Sequence, residues 1–361
     1  MKRFERDNIS RMAGYVWGEQ PADARTIKLN TNENPWPPGP AVMRALAEFD
    51  PARLRRYPSP WADRFRQTAA ELAGVTPDHV IATNGGDELL RLLFTTFLAP
   101  GTPIATTRPS YSLYPVLAAI QDCPVVEVPM NDDFDLPANL AERANASGAG
   151  ITALVNPHAP SGRLFPATAI AGLADALDGI LLVDEAYVDF VEPALEHDLV
   201  ALVRERDNLV LLRTLSKGHA LAGLRFGYGI GAPGLIEPML TKTRDSYNVD
   251  AIAQELATAA LSDRDWARDN HAKVRTERGR LAAELARLGF DSPPSQSNFL
   301  FARVPDGCRA GELKEGLRDA GILVRHFDQP GLDDRLRISI GTPEEDEVLL
   351  STLERLIDDR R

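Results

Sequence analysis

The stretch LVLLRTLSKGHALAGLRFG, residues 209–227, decides the fold. It begins with a short apolar run of the kind that forms a buried strand. Lys217 follows that run, close behind two hydroxyl residues and just before a small, apolar segment with several glycines. The chain has only six lysines, and a lysine that merely solubilises a surface needs no such neighbours. The stretch therefore favours a strand that delivers a lysine to a functional site.

Five more short apolar runs alternate with helical patterns in the preceding part of the chain. They are VIAT (80–83), PIATT (103–107), PVVEV (124–128), ITALV (151–155) and ILLV (180–183). Between them, segments such as 87–98 and 167–177 repeat their apolar residues with the period of a helix. This alternation predicts an α/β fold with a mostly parallel sheet that helices cover on both faces.

The pattern changes after about residue 245, where two long helical stretches precede short strands such as NFLFARV and RLRISI. We therefore predict a large domain over residues 46–245 and a smaller α+β domain over residues 246–361. Residues 1–45 include the segment NTNENPWPPGP, whose prolines and asparagines predict an irregular arm. The arm is expected to join the small domain or a partner subunit.

Composition narrows the class of ligand. The chain carries 52 acidic residues against 40 lysines and arginines, a net charge of −12, which argues against nucleic acid or an anionic membrane as the main partner. Cys123 and Cys308 lack the spacing of a metal or redox site, so we predict no metal and a reducing compartment. The N-terminus lacks the apolar core of a signal peptide, and no run of about 18 apolar residues occurs. We predict a soluble, cytoplasmic protein with a small-molecule ligand.

Polar and aromatic residues collect directly after the predicted strands, where ligands bind in open α/β sheets. Gly85, Gly86 and Asp87 follow VIAT and precede a helix, which offers free N–H groups to a phosphate. Tyr111 follows the next run, and the motif DEAY (184–187) follows ILLV. Taken alone, the two glycines also fit a turn, Tyr111 fits a packed core aromatic, and DEAY fits a strand end with a solvated acid. Their common placement instead favours one shared site.

These residues match the parts of pyridoxal 5′-phosphate. Lys217 offers an amine to its aldehyde, and Asp184 offers a carboxylate that keeps the ring nitrogen protonated. Tyr187 can donate to the 3′ oxygen, and Tyr111 can stack on the ring. Charged and hydroxyl groups suited to the phosphate complete the set: Thr214, Ser216 and Arg225, with the amides of residues 85–87.

Over most of its length the sequence resembles the fold type I pyridoxal-phosphate aminotransferases, and within them the histidinol-phosphate aminotransferases. The motifs that carry the resemblance are GYVWGEQP, LNTNENPWPP, RRYPSP, NGGDELL, RPSYSLYP, VDEAYVDF, RTLSKGHALAGLRFGYGI, SNFLFAR, GILVRHF and LRISIGT. VDEAY together with TLSK and LAGLR is the most specific combination. The resemblance implies transfer of the amino group of histidinol phosphate to 2-oxoglutarate, as in histidine biosynthesis.

The resemblance also implies a role for individual residues. Lys217 bonds the cofactor aldehyde, Asp184 pairs with the ring nitrogen and Tyr187 bonds the 3′ oxygen. The implied contacts to the ring and phosphate are Tyr111, Gly86, Asp87, Thr214, Ser216 and Arg225. Tyr57 of RRYPSP would reach the cofactor phosphate of the neighbouring subunit, which implies a homodimer. Arg337 would clamp a substrate carboxylate or phosphate, and the other implied substrate-side residues are Arg325, Tyr15 and Asn32.

The turn NPHAPSG, residues 156–162, departs from the family pattern Asn-Pro-Asn-Asn-Pro-Thr-Gly. Ala159 stands where the family has the asparagine that contacts the 3′ oxygen. Either Asn156 or His158 compensates, or Tyr187 makes the contact alone, and the sequence leaves these alternatives open. His158 equally fits a loop histidine whose hydrogen bonds are satisfied by its neighbours. We count Asn156 among the predicted cofactor contacts.

Three other functions fit parts of the pattern. An aromatic amino-acid aminotransferase is the main alternative, because Arg325 and Arg337 suit carboxylates as well as phosphates, and a threonine-phosphate decarboxylase is a further one. GIGAPG (229–234) matches the dinucleotide-binding pattern Gly-x-Gly-x-x-Gly. However, Pro233 and Pro238 interrupt the helix that must follow, which argues against a nicotinamide-dependent oxidoreductase.

Overall fold

The computed structural model describes residues 4–21, 23 and 25–359. The strands are β1 Ile27–Leu29, β2 Val80–Thr83, β3 Ile104–Arg108, β4 Val125–Pro129, β5 Ile151–Val155, β6 Ile180–Asp184, β7 Leu209–Thr214, β8 Gly227–Gly231, β9 Phe299–Arg303, β10 Ile322–His326 and β11 Arg335–Ser339. The α-helices are α1 Asp7–Arg11, α2 Pro40–Glu48, α3 Asp63–Ala73, α4 Gly85–Phe97, α5 Leu113–Gln121, α6 Leu140–Ser147, α7 Ala167–Ala176, α8 Val200–Val203, α9 Pro233–Pro238, α10 Ala251–Ser262, α11 Arg264–Arg287, α12 Ala310–Asp319 and α13 Pro343–Asp358.

A seven-stranded sheet in the order β2-β8-β7-β6-β5-β3-β4 forms the large body. All six apolar runs of the sequence form strands in it, and only β8 runs antiparallel to its neighbours. The prediction of a mostly parallel sheet is therefore confirmed. Neighbouring residues of a strand point to opposite faces, so Leu181 and Val183 pack in one apolar cluster and Leu182 packs in another. Helices α4 and α5 cover the face of Leu182, and α3, α6 and α7 cover the other face.

Strand β8 was not predicted, because its sequence GYGIG has few of the residues that mark a strand. Its glycines let α4 approach the sheet. A Cβ atom on Gly227 would lie 2.6 Å from the backbone nitrogen of Gly86, so only a glycine fits there. The match to the dinucleotide-binding pattern is thus explained by strand packing, since Gly229 and Gly231 lie inside β8 and the helix after it has only six residues.

A four-stranded sheet in the order β1-β10-β11-β9 forms the second, smaller body. Strand β1 comes from the predicted N-terminal arm and pairs parallel to β10, while the remaining pairs are antiparallel. Helix α13 begins at a capping box in which Thr342 and Glu345 satisfy each other's backbone N–H groups, followed by a proline at the first helical position. Among the described residues, no helix is both long and apolar enough to cross a membrane.

Helix α10 lies on the large body. It packs against α2 and α3, and its residues Leu256 and Ala257 join the apolar cluster that holds Val80 and Leu209. The predicted boundary at residues 245/246 assigns this helix to the small domain. The domain limits stay predictions, and this packing favours a boundary after α10.

Candidate functional site

A cleft of about 1190 Å³ lies between the carboxyl ends of the large sheet and one face of the small sheet. It brings together most of the residues that the sequence analysis singled out. These are Tyr15, Asn32, Gly86, Asp87, Tyr111, Asp184, Tyr187, Thr214, Ser216, Lys217, Arg225, Arg325 and Arg337. Residues as distant in sequence as Asp87 and Arg337 therefore meet, because strands of both sheets end at this space or face into it.

Lys217 lies three residues beyond the end of β7, and its Nζ donates a hydrogen bond to the backbone oxygen of Thr31 at 2.8 Å. Burial lowers the pKa of this lysine to about 8, while the carboxylate of Glu33 opposes that shift. Glu33 itself pairs with Lys28. Because its pKa lies near neutrality, the amine can gain or lose a proton easily, as a nucleophile or general base requires.

Asp184 ends β6 and is only 6% exposed. Burial raises the pKa of its carboxyl to about 7, and the nearby Asp87 and Glu185 push it in the same direction. The carboxylate accepts hydrogen bonds from the Ala186 backbone at 3.0 Å and from the Tyr114 hydroxyl at 3.3 Å. A buried acid among other acids is stabilised in its charged form by a cation.

The N-terminus of α4 and the segment after β7 form a cradle of polar groups. Gly85 has a left-handed backbone with φ of +75°, and a Cβ atom on it would lie 2.9 Å from Nη2 of Arg225. The Oγ1 of Thr214 lies 3.0 Å from Oγ of Ser216. Free helix N–H groups, hydroxyls and a guanidinium make this cradle suitable for a phosphate.

Tyr111 lines the cleft, and its hydroxyl donates to Asp87 at 3.4 Å. Its ring meets the ring of Tyr114 edge to face, with centroids 5.6 Å apart, and meets Tyr15 similarly at 6.2 Å. Both neighbours thus hold the ring of Tyr111 in place, as a stacking plate requires.

Tyr187 links the large body to the N-terminal arm and, through it, to the small sheet. Its hydroxyl oxygen accepts from the Asn32 side chain at 3.0 Å, which leaves the hydroxyl proton free for another acceptor. Asn32 in turn accepts from the Ser339 hydroxyl at 3.0 Å. The arm, the large body and the small sheet therefore meet in one chain of hydrogen bonds.

Arg325 and Arg337 lie opposite each other on β10 and β11. The Nη2 of Arg337 donates to the backbone oxygen of Asn30 at 3.0 Å, and burial lowers the pKa of this guanidinium. Both guanidinium groups lie over the ring of Phe327, at 5.3 and 5.5 Å from its centroid. The small-sheet side of the cleft can therefore bind an anion with two guanidinium groups.

The structure does not bring Asn156 to the cleft, although we predicted that it contacts the cofactor. Its side chain is held by the backbone of Phe165, since Nδ2 donates to the Phe165 oxygen at 3.0 Å and Oδ1 accepts from the Phe165 N–H at 2.8 Å. His158 is fully buried and bonds Ser161 at 2.7 Å and the Pro109 oxygen at 3.1 Å. Burial lowers its pKa to about 4, so it is a neutral loop histidine. Neither Asn156 nor His158 lines the cleft, whereas Ala159 does.

Tyr57 lies outside the cleft of its own chain. Its side chain is 80% exposed, and its ring stacks on Tyr247 with centroids 4.4 Å apart. Its reach into a neighbouring subunit stays a prediction.

Four residues near the reacting groups were missed from sequence. Tyr114 donates to Asp184, and Thr31 accepts from Lys217. Ser339 orients Asn32, and Glu33 adds charge beside Lys217. The motifs RPSYSLYP and NTNENP contain three of them, but nothing in a motif shows which member points inward.

The residues of the cleft fit pyridoxal 5′-phosphate. The cradle at α4 matches its phosphate, and a Cβ on Gly85 or Gly227 would collide with Arg225 or with the start of α4. Among the residues that the structure describes, no cation pairs with the buried carboxyl of Asp184, and a protonated ring nitrogen would supply one. Lys217 is a partly neutral amine, which suits an aldehyde.

Comparisons with known proteins agree with this arrangement. The family model for aminotransferase class I and II matches residues 24–353. Histidinol-phosphate aminotransferase 1 of Trichormus variabilis is 42% identical over 358 residues, which cover 99% of this chain and 100% of that protein. The histidinol-phosphate aminotransferase of Geobacter sulfurreducens is 43% identical over 356 residues, 97% of this chain and 99% of that one. The solved structure of histidinol-phosphate aminotransferase from Sinorhizobium meliloti in complex with pyridoxal-5′-phosphate superposes with a TM-score of 0.90 at 25% identity, covering 99% of both chains.

Proposed function

Because this chain belongs to the class I and II aminotransferase family, we propose that it moves the amino group of histidinol phosphate to 2-oxoglutarate. The chain is a pyridoxal-phosphate-dependent aminotransferase. Full-length identity of 42% to proteins named for histidinol phosphate supports that donor. The observation in the structure that carries the proposal is the pair of guanidinium groups of Arg325 and Arg337 beside Lys217 in one cleft.

The two arginines explain the preference for a phosphate. A phosphate monoester carries up to two negative charges and three acceptor oxygens, so it can bond two planar guanidinium forks at once. The aromatic alternative offers one carboxylate to the same groups. Tyr15 and Asn32 line the same end of the cleft, and we assign them to the substrate side.

The cofactor, held by Lys217, Asp184 and the cradle at α4, supplies an electron sink for the bond that breaks at the substrate carbon. Lys217 Nζ would act as the general base that removes the proton from that carbon. The Thr31 oxygen orients this Nζ. Asp184 would keep the ring nitrogen protonated through its negative charge, and Tyr187 would donate a hydrogen bond to the 3′ oxygen. Because Ala159 stands in the turn, we expect Tyr187 to make that last contact without an asparagine.

A half-reaction screen tests the donor. The enzyme loaded with cofactor is mixed with histidinol phosphate, histidinol, phenylalanine or threonine phosphate, and the change in cofactor absorbance is followed. Histidinol phosphate is expected to react with the highest kcat/KM, and histidinol, which lacks the phosphate, to react about 100-fold less efficiently. Fastest reaction with phenylalanine would instead support the aromatic aminotransferase. Release of carbon dioxide from threonine phosphate would support the decarboxylase.

We further propose a homodimer in which Tyr57 reaches the partner's cofactor phosphate. The exposed stack of Tyr57 on Tyr247 supports this, since an aromatic pair on a surface often marks an interface. Sedimentation should give twice the chain mass, and Tyr57→Phe should weaken cofactor retention without dissociating the dimer. A cytoplasmic location stays a prediction from composition.

A further inference from the structure

One face of the small sheet carries four arginines. Arg335 and Arg337 are two residues apart on β11, so their side chains point to the same side. The strand register places Arg303 beside Arg335 and Arg325 beside Arg337. All four line the cleft. The resemblance assigns substrate binding to Arg325 and Arg337, which leaves the other two without a role.

Arg303 and Arg335 differ in how their charge is satisfied. The Nε of Arg303 lies 2.8 Å from Asp334, within hydrogen-bond distance. The Nε of Arg335 lies 3.7 Å from the same carboxylate, which is too far for a hydrogen bond. Within the described part of the chain, the Nε and Nη1 atoms of Arg335 are buried and have no hydrogen-bond partner. The residue as a whole is only 5% exposed.

An unsatisfied buried guanidinium destabilises the fold, so it needs an explanation. Arg335 is held from two sides, with its guanidinium carbon 5.6 Å from the ring centroid of Phe134 and 5.5 Å from that of Phe301. Cation–π contacts of this kind fix its position and leave its N–H groups unused. The carboxylates of Asp334, Asp291 and Asp132 lie near it, and the charge of Arg303 opposes their effect. Asp334 bonds Arg303 through Oδ2, while its Oδ1 lies 3.7 Å from the Nε of Arg335 and makes no hydrogen bond within the described residues. The guanidinium of Arg335 is thus held in place and charged, and an anion could bond its Nε and Nη1 without displacing an existing hydrogen bond within the described residues.

We infer that Arg335 forms a second anion subsite, which binds the distal carboxylate of a dicarboxylic oxo acid while the reacting end of that acid lies at Arg337. This inference rests on the proposed transamination. Same-face residues on a strand lie about 7 Å apart, and an extended five-carbon dicarboxylate can place one carboxylate at each guanidinium. A carboxylate suits the guanidinium fork.

The same subsite accommodates the amino donor. Histidinol phosphate has one anionic group, and its other end is a ring. Phe134 and Phe327 also line the cleft and offer aromatic surfaces to a ring at that end. Arg335 therefore matters more for the oxo acid than for the donor, and the two substrates share the cleft without sharing all contacts.

Binding of an unreactive probe to the cofactor-loaded enzyme tests the subsite directly. Glutarate has two carboxylates and butyrate has one, and calorimetry gives Kd for each. For Arg335→Met we expect the Kd of glutarate to rise about 10- to 100-fold, since hydrogen bonds to a charged group are lost, and the Kd of butyrate to change much less. Arg303→Met is the matched control, because its guanidinium is already paired with Asp334, and a smaller effect on glutarate is expected.

The half-reactions give the second readout. The loss of kcat/KM for 2-oxoglutarate with the aminated enzyme should exceed the loss for histidinol phosphate by at least about tenfold. Equal losses for both substrates, or an unchanged Kd for glutarate, would overturn the subsite. If Arg335→Met does not fold, Arg335→Lys and Arg335→Gln replace it. The Arg335→Lys enzyme, which keeps the positive charge, should then bind glutarate more tightly than the Arg335→Gln enzyme. If the wild type does not react with histidinol phosphate, the proposed donor is wrong. The Kd values of glutarate still test whether Arg335 binds a second carboxylate.

Discussion

The two walls of the cleft are built differently. The large-sheet wall delivers single groups from separate strand ends. Burial lowers the pKa of Lys217 and raises the pKa of Asp184, so it favours the neutral form of both side chains. The small-sheet wall presents several guanidinium groups along its strands, which stay charged at any ordinary pH. The first wall is suited to moving protons and the second to holding anions. Substitutions in the first should therefore lower kcat, and substitutions in the second should raise KM.

The largest effect is expected for Lys217→Ala. Without the amine there is neither a covalent link to the cofactor aldehyde nor a general base, so turnover should fall by at least about 10⁴-fold. Steady-state assays measure this loss. Borohydride reduction of the wild type should fix the cofactor on residue 217, as mass spectrometry of peptides can show.

Lys242→Ala serves as the control for that variant, since it removes a lysine outside the cleft. It should keep both the activity and the reducible adduct. Full activity of Lys217→Ala would show that the large-sheet wall does not hold the reacting amine.

The same contrast explains how much the sequence could predict. Six of the seven strands of the large sheet were predicted because their runs are short and mostly apolar, as buried parallel strands are. The residues after them follow from the rule that strand ends form the site, which placed Lys217, Asp184 and Tyr111 correctly in the cleft. Strand β8 was missed because glycines replace its apolar side chains where α4 comes close.

The small-sheet wall was harder to predict. Whether a strand arginine such as Arg335 faces a cleft or solvent depends on register and on the neighbouring sheet, and neither is visible in a local pattern. Asn156 shows the same limit in a loop. Its side chain turned to the backbone of Phe165, and the sequence offers no sign of that choice.

The second prediction compares the paired arginines of the small-sheet wall. Arg337→Met should raise KM for histidinol phosphate about 10- to 100-fold and change kcat less. Arg325→Met should show a smaller rise, because the hydrogen bond from Arg337 to the Asn30 oxygen holds the guanidinium of Arg337 in place for an anion. Initial rates over a range of donor concentrations separate the two parameters. A fall in kcat with unchanged KM would contradict the division between the walls.

A third prediction concerns the stability of the cofactor-free protein. The pKa of Asp184 is raised from 3.8 in a free side chain to about 7 in the fold. Folding therefore favours the protonated acid, and this contribution is fully present below about pH 4 and is lost as the pH rises through 7. Thermal melts should show that Asp184→Asn removes roughly 4 kcal/mol of this pH dependence.

Cofactor should reverse that effect in the wild type. A cationic ring nitrogen stabilises the charged form of Asp184, so the loaded enzyme should lose less stability between about pH 5 and pH 8 than the cofactor-free protein. Equal pH dependence with and without cofactor would mean that Asp184 does not meet the ring nitrogen.

The smallest effect is expected at Ala159, the departure within the large-sheet wall. Ala159→Asn places an amide in the cleft where the family has one, and a hydrogen bond to the 3′ oxygen favours the charged form of that oxygen. The absorbance of the bound cofactor should then titrate at a lower pH, with a change in kcat of less than about tenfold. Ala159→Leu fills similar space without a donor and should not lower that pH. If both variants shift the titration alike, the change comes from desolvation of the cleft, and Tyr187 already supplies all the hydrogen bonding that the 3′ oxygen requires.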